Sequence, residues 1–220
     1  MKDLNKKAVS GLLGVLLVMG ALLFIPARTL AYWQAWAFLA VFGGSSLAIT
    51  LYLMKKDPKL LGRRMRGGPV AEKEMSQKII QTLTAIMFIA MLVVPALDHR
   101  LGWSEMPLYV AIAGDALVAV GFLIIFLVYK GNTFASATIE IAPDQKVIST
   151  GLYALVRHPM YMGALLLLVG MSLALGSWCG LFVFLLFIPA LAWRTLDEER
   201  FLATNLPGYS EYLDKVKYRI

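Results

Sequence analysis

Residues 161–193 read YMGALLLLVGMSLALGSWCGLFVFLLFIPALAW and contain no charged side chain. The polar sequence RHP (residues 157–159) comes just before this run, and the polar cluster RTLDEER (residues 194–200) follows it. As one helix, the run is roughly 50 Å long, too long for a single upright membrane span. Gly176-Ser177 interrupts it near the middle. This pattern predicts a helical hairpin that brings both polar clusters to one membrane face, whereas the alternative, one tilted or kinked helix, would leave them on opposite faces.

The composition indicates a membrane protein. Of 220 residues, 59% are hydrophobic and 16% charged, and the mean hydropathy is +0.70. A soluble domain is about 45–50% apolar and about 25% charged. The single cysteine, Cys179, leaves no intrachain disulfide and no cysteine metal site, and we expect no bound metal. HExxH, Walker A and GxGxxG motifs are absent, which argues against zinc hydrolases, nucleoside triphosphatases and Rossmann cofactor domains.

Four more hydrophobic segments are long enough to cross a bilayer. They lie near residues 8–26, 30–54, 79–97 and 107–129. With the hairpin they predict an all-α, polytopic transmembrane bundle of about five membrane-crossing segments, followed by a cytoplasmic C-terminal cofactor-binding region. The basic N-terminus resembles a signal peptide, but no convincing cleavage site follows, so we expect an uncleaved first helix.

Lysine and arginine are unevenly distributed between the two membrane faces. With a hairpin, 19 of the 21 cations lie with the two termini and the 55–78 and 130–160 loops, and only Arg28 and Arg100 lie opposite. Such asymmetry marks the cytoplasmic face, so we predict an integral membrane protein with both termini and its active site on that side. The net charge of +7 is then explained without a nucleic acid partner.

Three other features leave alternatives open. The basic 55–78 loop is most simply an anchor on anionic headgroups. The polar segment 131–150 is either a short strand pair or an irregular loop, and it is placed to cover a ligand. Asp115 is the one acidic residue inside a predicted span, where it has either a chemical or a structural role.

Two motif blocks lie between about residue 131 and residue 219. The first comprises Gly151-Leu152-Tyr153, Val156-Arg157-His158-Pro159, Tyr161 and Gly163, and the second Glu198-Glu199, Leu202, Gly208-Tyr209, Tyr212 and Val216. Together they resemble the isoprenylcysteine carboxyl methyltransferase family, whose pattern phospholipid methyltransferases share. The resemblance implies S-adenosylmethionine as cofactor without a Rossmann domain. It also implies that residues 131–220 hold the cofactor and that residues 1–130 shape a lipid-facing substrate region.

The resemblance further implies roles for individual residues. Arg194 falls where the family places a substrate-facing arginine, and the acceptor would be a prenylated or lipid-like molecule, first of all a carboxylate. Glu198 would accept from the cofactor amine or ribose, Arg157 and His158 would donate to its carboxylate, and the tyrosines would contact adenine. The cofactor-binding set is Gln145, Lys146, Val147, Ile148, Tyr153, Arg157, His158, Pro159, Met160, Tyr161 and Glu198.

Each of these residues also has a structural interpretation. Arg194 and Glu198, four residues apart, are spaced to pair on one helix, Arg157 is a possible anchor, and His158 a possible helix cap. Other functions also remain open: phospholipid N-methylation, an NADPH-dependent reductase of the sterol-reductase type, or a channel, transporter or scaffold. Transport would predict several ionisable groups inside the spans, and only Asp115 is found.

Overall fold

The computed structural model describes the backbone of residues 2–220 and the side chains from residue 3 onward, and this part of the chain is all-helical. The helices are α1 (Lys2–Ala27), α2 (Trp33–Lys56), α3 (Pro58–Arg64), α4 (Met75–Leu101), α5 (Leu108–Gly131), α6 (Pro159–Ala174), α7 (Trp178–Asn205) and α8 (Tyr209–Lys215). Two 3-10 helices cover Pro69–Ala71 and Gly151–Ala154. Helices α1, α2, α4, α5 and α7 are long and apolar enough to cross a membrane, which confirms the predicted polytopic all-α class.

The charge-free run forms a hairpin rather than one long helix. Helix α6 begins with Pro159 at its first position, where proline's missing N–H costs nothing, and ends at Ala174. Gly176 has a φ of 71°, a left-handed conformation that favours glycine. Ser177 then caps α7 by accepting a hydrogen bond from the Gly180 backbone N–H at 3.1 Å. The second arm continues beyond the apolar run, so the 194–200 cluster lies within α7.

Helices α5 and α6 pack with their backbones in close contact. A Cβ atom added to Gly114 would lie 2.2 Å from the Ala174 backbone nitrogen. One added to Gly170 would lie 2.8 Å from the carbonyl oxygen of Gly114. Small residues permit such an approach between membrane helices, so α5 positions the first arm of the hairpin through glycine contacts.

A polar network closes the end of the bundle where the hairpin turns. The buried carboxylate of Asp98 accepts hydrogen bonds from the Ser104 backbone N–H at 2.8 Å, the Ser104 hydroxyl at 2.6 Å and the Ser177 hydroxyl. Nearby, the Tyr32 hydroxyl donates to the Leu175 carbonyl at 2.5 Å. The hairpin turn is thereby bound to α4 and to the α1–α2 connection.

The opposite end of the bundle carries both termini and the long polar loop. Ala8, Leu53 and Val128 share one apolar cluster there, against which Met160 packs. Residues 132–150 form an irregular loop with turns, the second of the two predicted alternatives. The basic 55–78 segment contacts this loop: Arg63 donates to the Thr133 carbonyl and Arg64 to the Ser136 carbonyl. The 55–78 segment therefore helps the 132–150 loop to cover this end of the bundle.

Candidate functional site

The hairpin brings the two polar clusters together at the end of the bundle that carries the termini. His158 Nε2 lies 3.4 Å from Glu199 Oε1, and the Tyr161 hydroxyl donates to Glu198 Oε2 at 2.5 Å. The backbone N–H of Arg157 donates to the Tyr218 carbonyl at 2.9 Å, and that of His158 to the Arg219 carbonyl at 2.8 Å. The chain's last residues thus run alongside the start of α6.

A cleft opens at this point, with a cavity volume of about 100 Å³, less than the roughly 300–1,000 Å³ typical of small-molecule sites. Its walls come from the 132–148 loop, residues 153–161, the end of α7, and α8. All eleven residues expected to contact a cofactor line it: Gln145, Lys146, Val147, Ile148, Tyr153, Arg157, His158, Pro159, Met160, Tyr161 and Glu198. The sequence therefore identified one contiguous surface.

His158 lines this cleft, and one of its ring nitrogens has no hydrogen-bond partner among the described residues. The residue precedes α6 without capping it through its side chain, and its ring stacks on Tyr161 with centroids 5.4 Å apart. Its Nε2 is buried and has no hydrogen-bond partner among the described residues, since the contact with Glu199 lacks hydrogen-bond geometry. Nε2 faces Glu199, whereas Nδ1 lies 4.0 Å from Glu198, which lines the cleft.

Arg157 is turned toward the C-terminal segment. Its Nε donates to the Val216 carbonyl at 2.5 Å, one terminal nitrogen donates to the Leu213 carbonyl at 2.9 Å, and the other to Glu199 at 3.1 Å. Glu199 also accepts from Arg219 Nε at 3.0 Å. Arg157 thus lines the cleft while its guanidinium binds the tail. Glu199, which stood in the quoted motif without a role, is the anion that joins the two arginines.

Two tyrosines close the cleft on the loop side. The Tyr153 hydroxyl accepts from the Asn132 side-chain amide at 2.9 Å, and the Tyr212 hydroxyl donates to the Tyr153 carbonyl at 2.8 Å. Burial raises the pKa of each of these hydroxyls to about 12, so both stay neutral near pH 7. They act as hydrogen-bonding and packing groups in the wall.

Arg194 lies behind Tyr161 and is held on several sides. Its Nε donates to the Tyr161 hydroxyl at 3.2 Å, and one terminal nitrogen donates to Gln77 at 2.8 Å and contacts Glu72 Oε1 at 3.0 Å. The other terminal nitrogen donates to the Ala137 carbonyl at 3.1 Å. Four of its five N–H groups therefore have partners. Glu198 is bound by Tyr161, and no direct Arg194–Glu198 ion pair forms among the described side chains.

A second cavity, of about 230 Å³, adjoins the cleft. Arg64 of α3, Tyr129 of α5 and Arg194 of α7 line it. The residues it shares with the cleft are Ser136, Thr138, Ile139, Met160, Tyr161 and Glu198. Tyr161 and Glu198 thus stand where the two spaces meet.

The N-terminal half supplies site residues that sequence reasoning missed. They are Arg64, Glu72 and Gln77, which contact the 132–150 loop or Arg194. Glu72 and Gln77 were signalled only weakly, as polar residues between a basic loop and an apolar helix. Asp115 is not among the residues that line either cavity.

Comparison with known proteins agrees with this geometry. Residues 109–207 match the family model described as phospholipid methyltransferase. The cobalt-zinc-cadmium resistance protein CzcN of Cupriavidus metallidurans is 34% identical over 101 residues, which cover 44% of this chain and 45% of that protein, less than half of its length. No solved structure matches. Residues 109–207, which form much of the cleft, are thus similar to the phospholipid methyltransferase family, and the match confirms the resemblance seen in the sequence.

Proposed function

We propose that this protein is an integral-membrane methyltransferase that uses S-adenosylmethionine to methylate a lipophilic acceptor. The observation that carries the proposal is the meeting of two cavities at Tyr161 and Glu198. In this proposal residues 131–220 hold the cofactor and residues 1–130 shape the acceptor region. The cation distribution supports a cytoplasmic position for the site and for both termini.

The cleft fits the chemistry of this cofactor. The molecule carries an amine, a carboxylate, ribose hydroxyls and a flat adenine. Glu198 would accept from the amine or a ribose hydroxyl, and His158, which lines the cleft beside Glu198, would bind a polar group of the ligand. Val147, Ile148 and the tyrosine rings offer apolar surface for adenine. When bound, the cofactor supplies an electrophilic methyl group on a sulfonium, so no strong acid is required from the protein.

The second cavity fits a lipophilic acceptor with an anionic group. Two guanidinium groups, of Arg64 and Arg194, line it among apolar and aromatic side chains. Arg194 has one N–H group left for the acceptor, so it would orient a carboxylate oxygen through a single charge-assisted hydrogen bond. The protein's contribution is alignment of the nucleophile and exclusion of water; alignment alone contributes about 7–11 kcal/mol in well-oriented systems. O-methylation of a carboxylate is therefore the reaction we place first.

Phospholipid N-methylation is the second candidate, and the family description favours it. A phospholipid would place its phosphate near the two arginines and its amine near Glu198 at the junction of the cavities. A carboxylate would attack through oxygen and a phospholipid amine through nitrogen. The methylated product therefore distinguishes the two reactions. Metal binding is not part of the proposal, because the described residues contain no group of three or more His, Cys, Asp or Glu side chains placed to hold an ion.

Cofactor binding is tested on the detergent-purified chain by titration calorimetry with S-adenosylhomocysteine and, separately, NADPH. We expect binding of the first and none of the second; the reverse would support a reductase. Glu198→Gln and His158→Ala should each weaken S-adenosylhomocysteine about tenfold, since each removes a polar contact to the ligand. The exposed Glu211→Gln is the matched control. Parent-like affinity in both site variants would place the cofactor elsewhere.

The acceptor is tested by transfer of a radiolabelled methyl group to two probes, a prenylated cysteine with a free carboxylate and phosphatidylethanolamine vesicles. Base-labile label in the first indicates an ester, and stable label in the second an N-methyl product. Arg194→Ala should lower transfer strongly and leave S-adenosylhomocysteine affinity nearly unchanged, with little recovery in Arg194→Lys. Parent-level transfer by Arg194→Ala would remove this residue from the mechanism.

A further inference from the structure

Glu72 is a buried carboxylate in a segment that has no family motif. Its side chain is 1% exposed, although its neighbours Ala71 and Lys73 are exposed. Burying a charge is costly unless it is paired and hydrogen-bonded, and Glu72 meets both conditions. Its Oε1 contacts Arg194 at 3.0 Å and accepts from the Gln81 side chain at 3.2 Å. Its Oε2 accepts from the Ile139 backbone N–H at 3.3 Å.

Gln77, near the start of α4, also binds the Arg194 guanidinium. It is 2% exposed, and its amide nitrogen donates to Asp197 Oδ2 at 2.9 Å. Since the carboxylate of Asp197 only accepts, the amide oxygen of Gln77 is the atom left to accept from Arg194 at 2.8 Å. Neither Glu72 nor Gln77 lines the cleft or the second cavity. Both therefore contact Arg194 on the side away from these two cavities.

This arrangement decides which carboxylate Arg194 binds. Glu198 is four residues further along α7, a spacing at which arginine and glutamate pair readily on a helix. In the structure Arg194 binds Glu72 instead, and Glu198 is free to take the Tyr161 hydroxyl and to line the cleft. Glu198 is a charged group that acts on the Arg194 guanidinium, so without the charge of Glu72 it becomes an available partner. That pairing would draw both groups away from the places that the proposed function gives them.

We propose that Glu72, assisted by Gln77, is a positioning residue that keeps Arg194 toward the acceptor cavity and away from Glu198. The N-terminal half of the chain would thereby set the geometry of the family's C-terminal site. This inference rests on the proposed function for the roles of Arg194 and Glu198, whereas the pairing of Arg194 itself can be tested without any ligand.

The ligand-free test observes the Arg194 side chain by nuclear magnetic resonance of arginine Nε–H groups, with the Arg194 signal assigned by its loss in Arg194→Lys. Glu72→Gln, which keeps shape and removes charge, should shift this signal strongly. Glu74→Gln, the same change at an exposed position two residues on, should leave it in place. An unmoved Arg194 signal in Glu72→Gln would overturn the proposal, whatever the protein's activity.

The second test is a double-mutant cycle on S-adenosylhomocysteine affinity. Glu72→Gln should weaken binding about five- to tenfold, because Glu198 is drawn to Arg194. Adding Arg194→Ala should restore binding to near the parent value, since the competing cation is gone. A structural defect at Glu72 would not be rescued in this way, so an unrescued double variant counts against the proposal. If the parent itself does not bind, the proposed function fails, and the resonance experiment still decides the role of Glu72.

Discussion

The Tyr161 hydroxyl donates a 2.5 Å hydrogen bond to Glu198 from the opposite arm of the hairpin, and it accepts one from Arg194 Nε at 3.2 Å. One oxygen therefore joins the residue proposed for the cofactor to the residue proposed for the acceptor. Because Tyr161 and Glu198 both line the two cavities, this bond lies where they meet.

Tyr161→Phe should weaken S-adenosylhomocysteine binding about five- to twentyfold and lower methyl transfer further. The ring still fills its place, but Glu198 and Arg194 each lose a hydrogen-bond partner, and such losses cost about 1–3 kcal/mol. Calorimetry and the transfer assay measure the two effects. Tyr109→Phe is the control, since this tyrosine is 72% exposed on α5. Equal S-adenosylhomocysteine affinity in the parent and Tyr161→Phe would show that the Tyr161 hydroxyl does not contribute to cofactor binding.

Arg157→Leu should destabilise the protein by about 1–3 kcal/mol, because Glu199 loses one of its two arginine partners. The carbonyls of Leu213 and Val216 lose a donor as well, so the tail should become sensitive to limited proteolysis. Arg200→Leu, at a 79% exposed side chain with a 3.8 Å contact to Asp197, should change stability by about 0–1 kcal/mol. Thermal melting distinguishes the two variants. Equal melting temperatures would contradict the role of Arg157 in binding Glu199 and the C-terminal segment.

Gly114→Ala should destabilise the bundle by about 1–3 kcal/mol or displace α6, because the new Cβ would lie 2.2 Å from the Ala174 backbone nitrogen. Gly14→Ala in α1 is the matched control, since nothing lies within 4 Å of its added Cβ. In a helix interior that change is neutral or favourable. Reversible unfolding in detergent measures both variants, and equal losses would argue against close α5–α6 packing.

Cysteines at positions 5 and 215 should be labelled from the same side of the membrane, in a chain whose Cys179 is replaced by serine. A cysteine at position 100 should be labelled from the opposite side. The reason is the topology: α1 begins and α7 ends at the same face, and the cation excess makes that face cytoplasmic. Labelling of positions 5 and 215 from opposite sides is the result that this arrangement forbids.

The sequence predicted those parts of the fold that depend on interactions between residues close together in the chain. Apolar length located the spans, with ends shifted by up to six residues, and Gly176 marked the turn that the structure shows. The motif at 157–161 and Glu198 indicated the cleft because both lie on the hairpin. Glu72 and Gln77 were beyond reach, since their significance comes from an ion pair and a hydrogen bond to Arg194 across more than 100 residues. No local pattern encodes which distant cation a carboxylate will meet.

Helix α4 carries one member of each polar network, Gln77 beside Arg194 and Asp98 beneath the hairpin turn, and these residues are 21 positions apart. At 1.5 Å per residue that separation is about 32 Å, close to the roughly 30 Å depth of a bilayer's hydrocarbon. A bilayer that matches this separation would have one network at each boundary of its hydrocarbon. The junction at Tyr161 would then lie near the level where a lipid's headgroup begins, so the acceptor of the proposed function would reach it without leaving its leaflet.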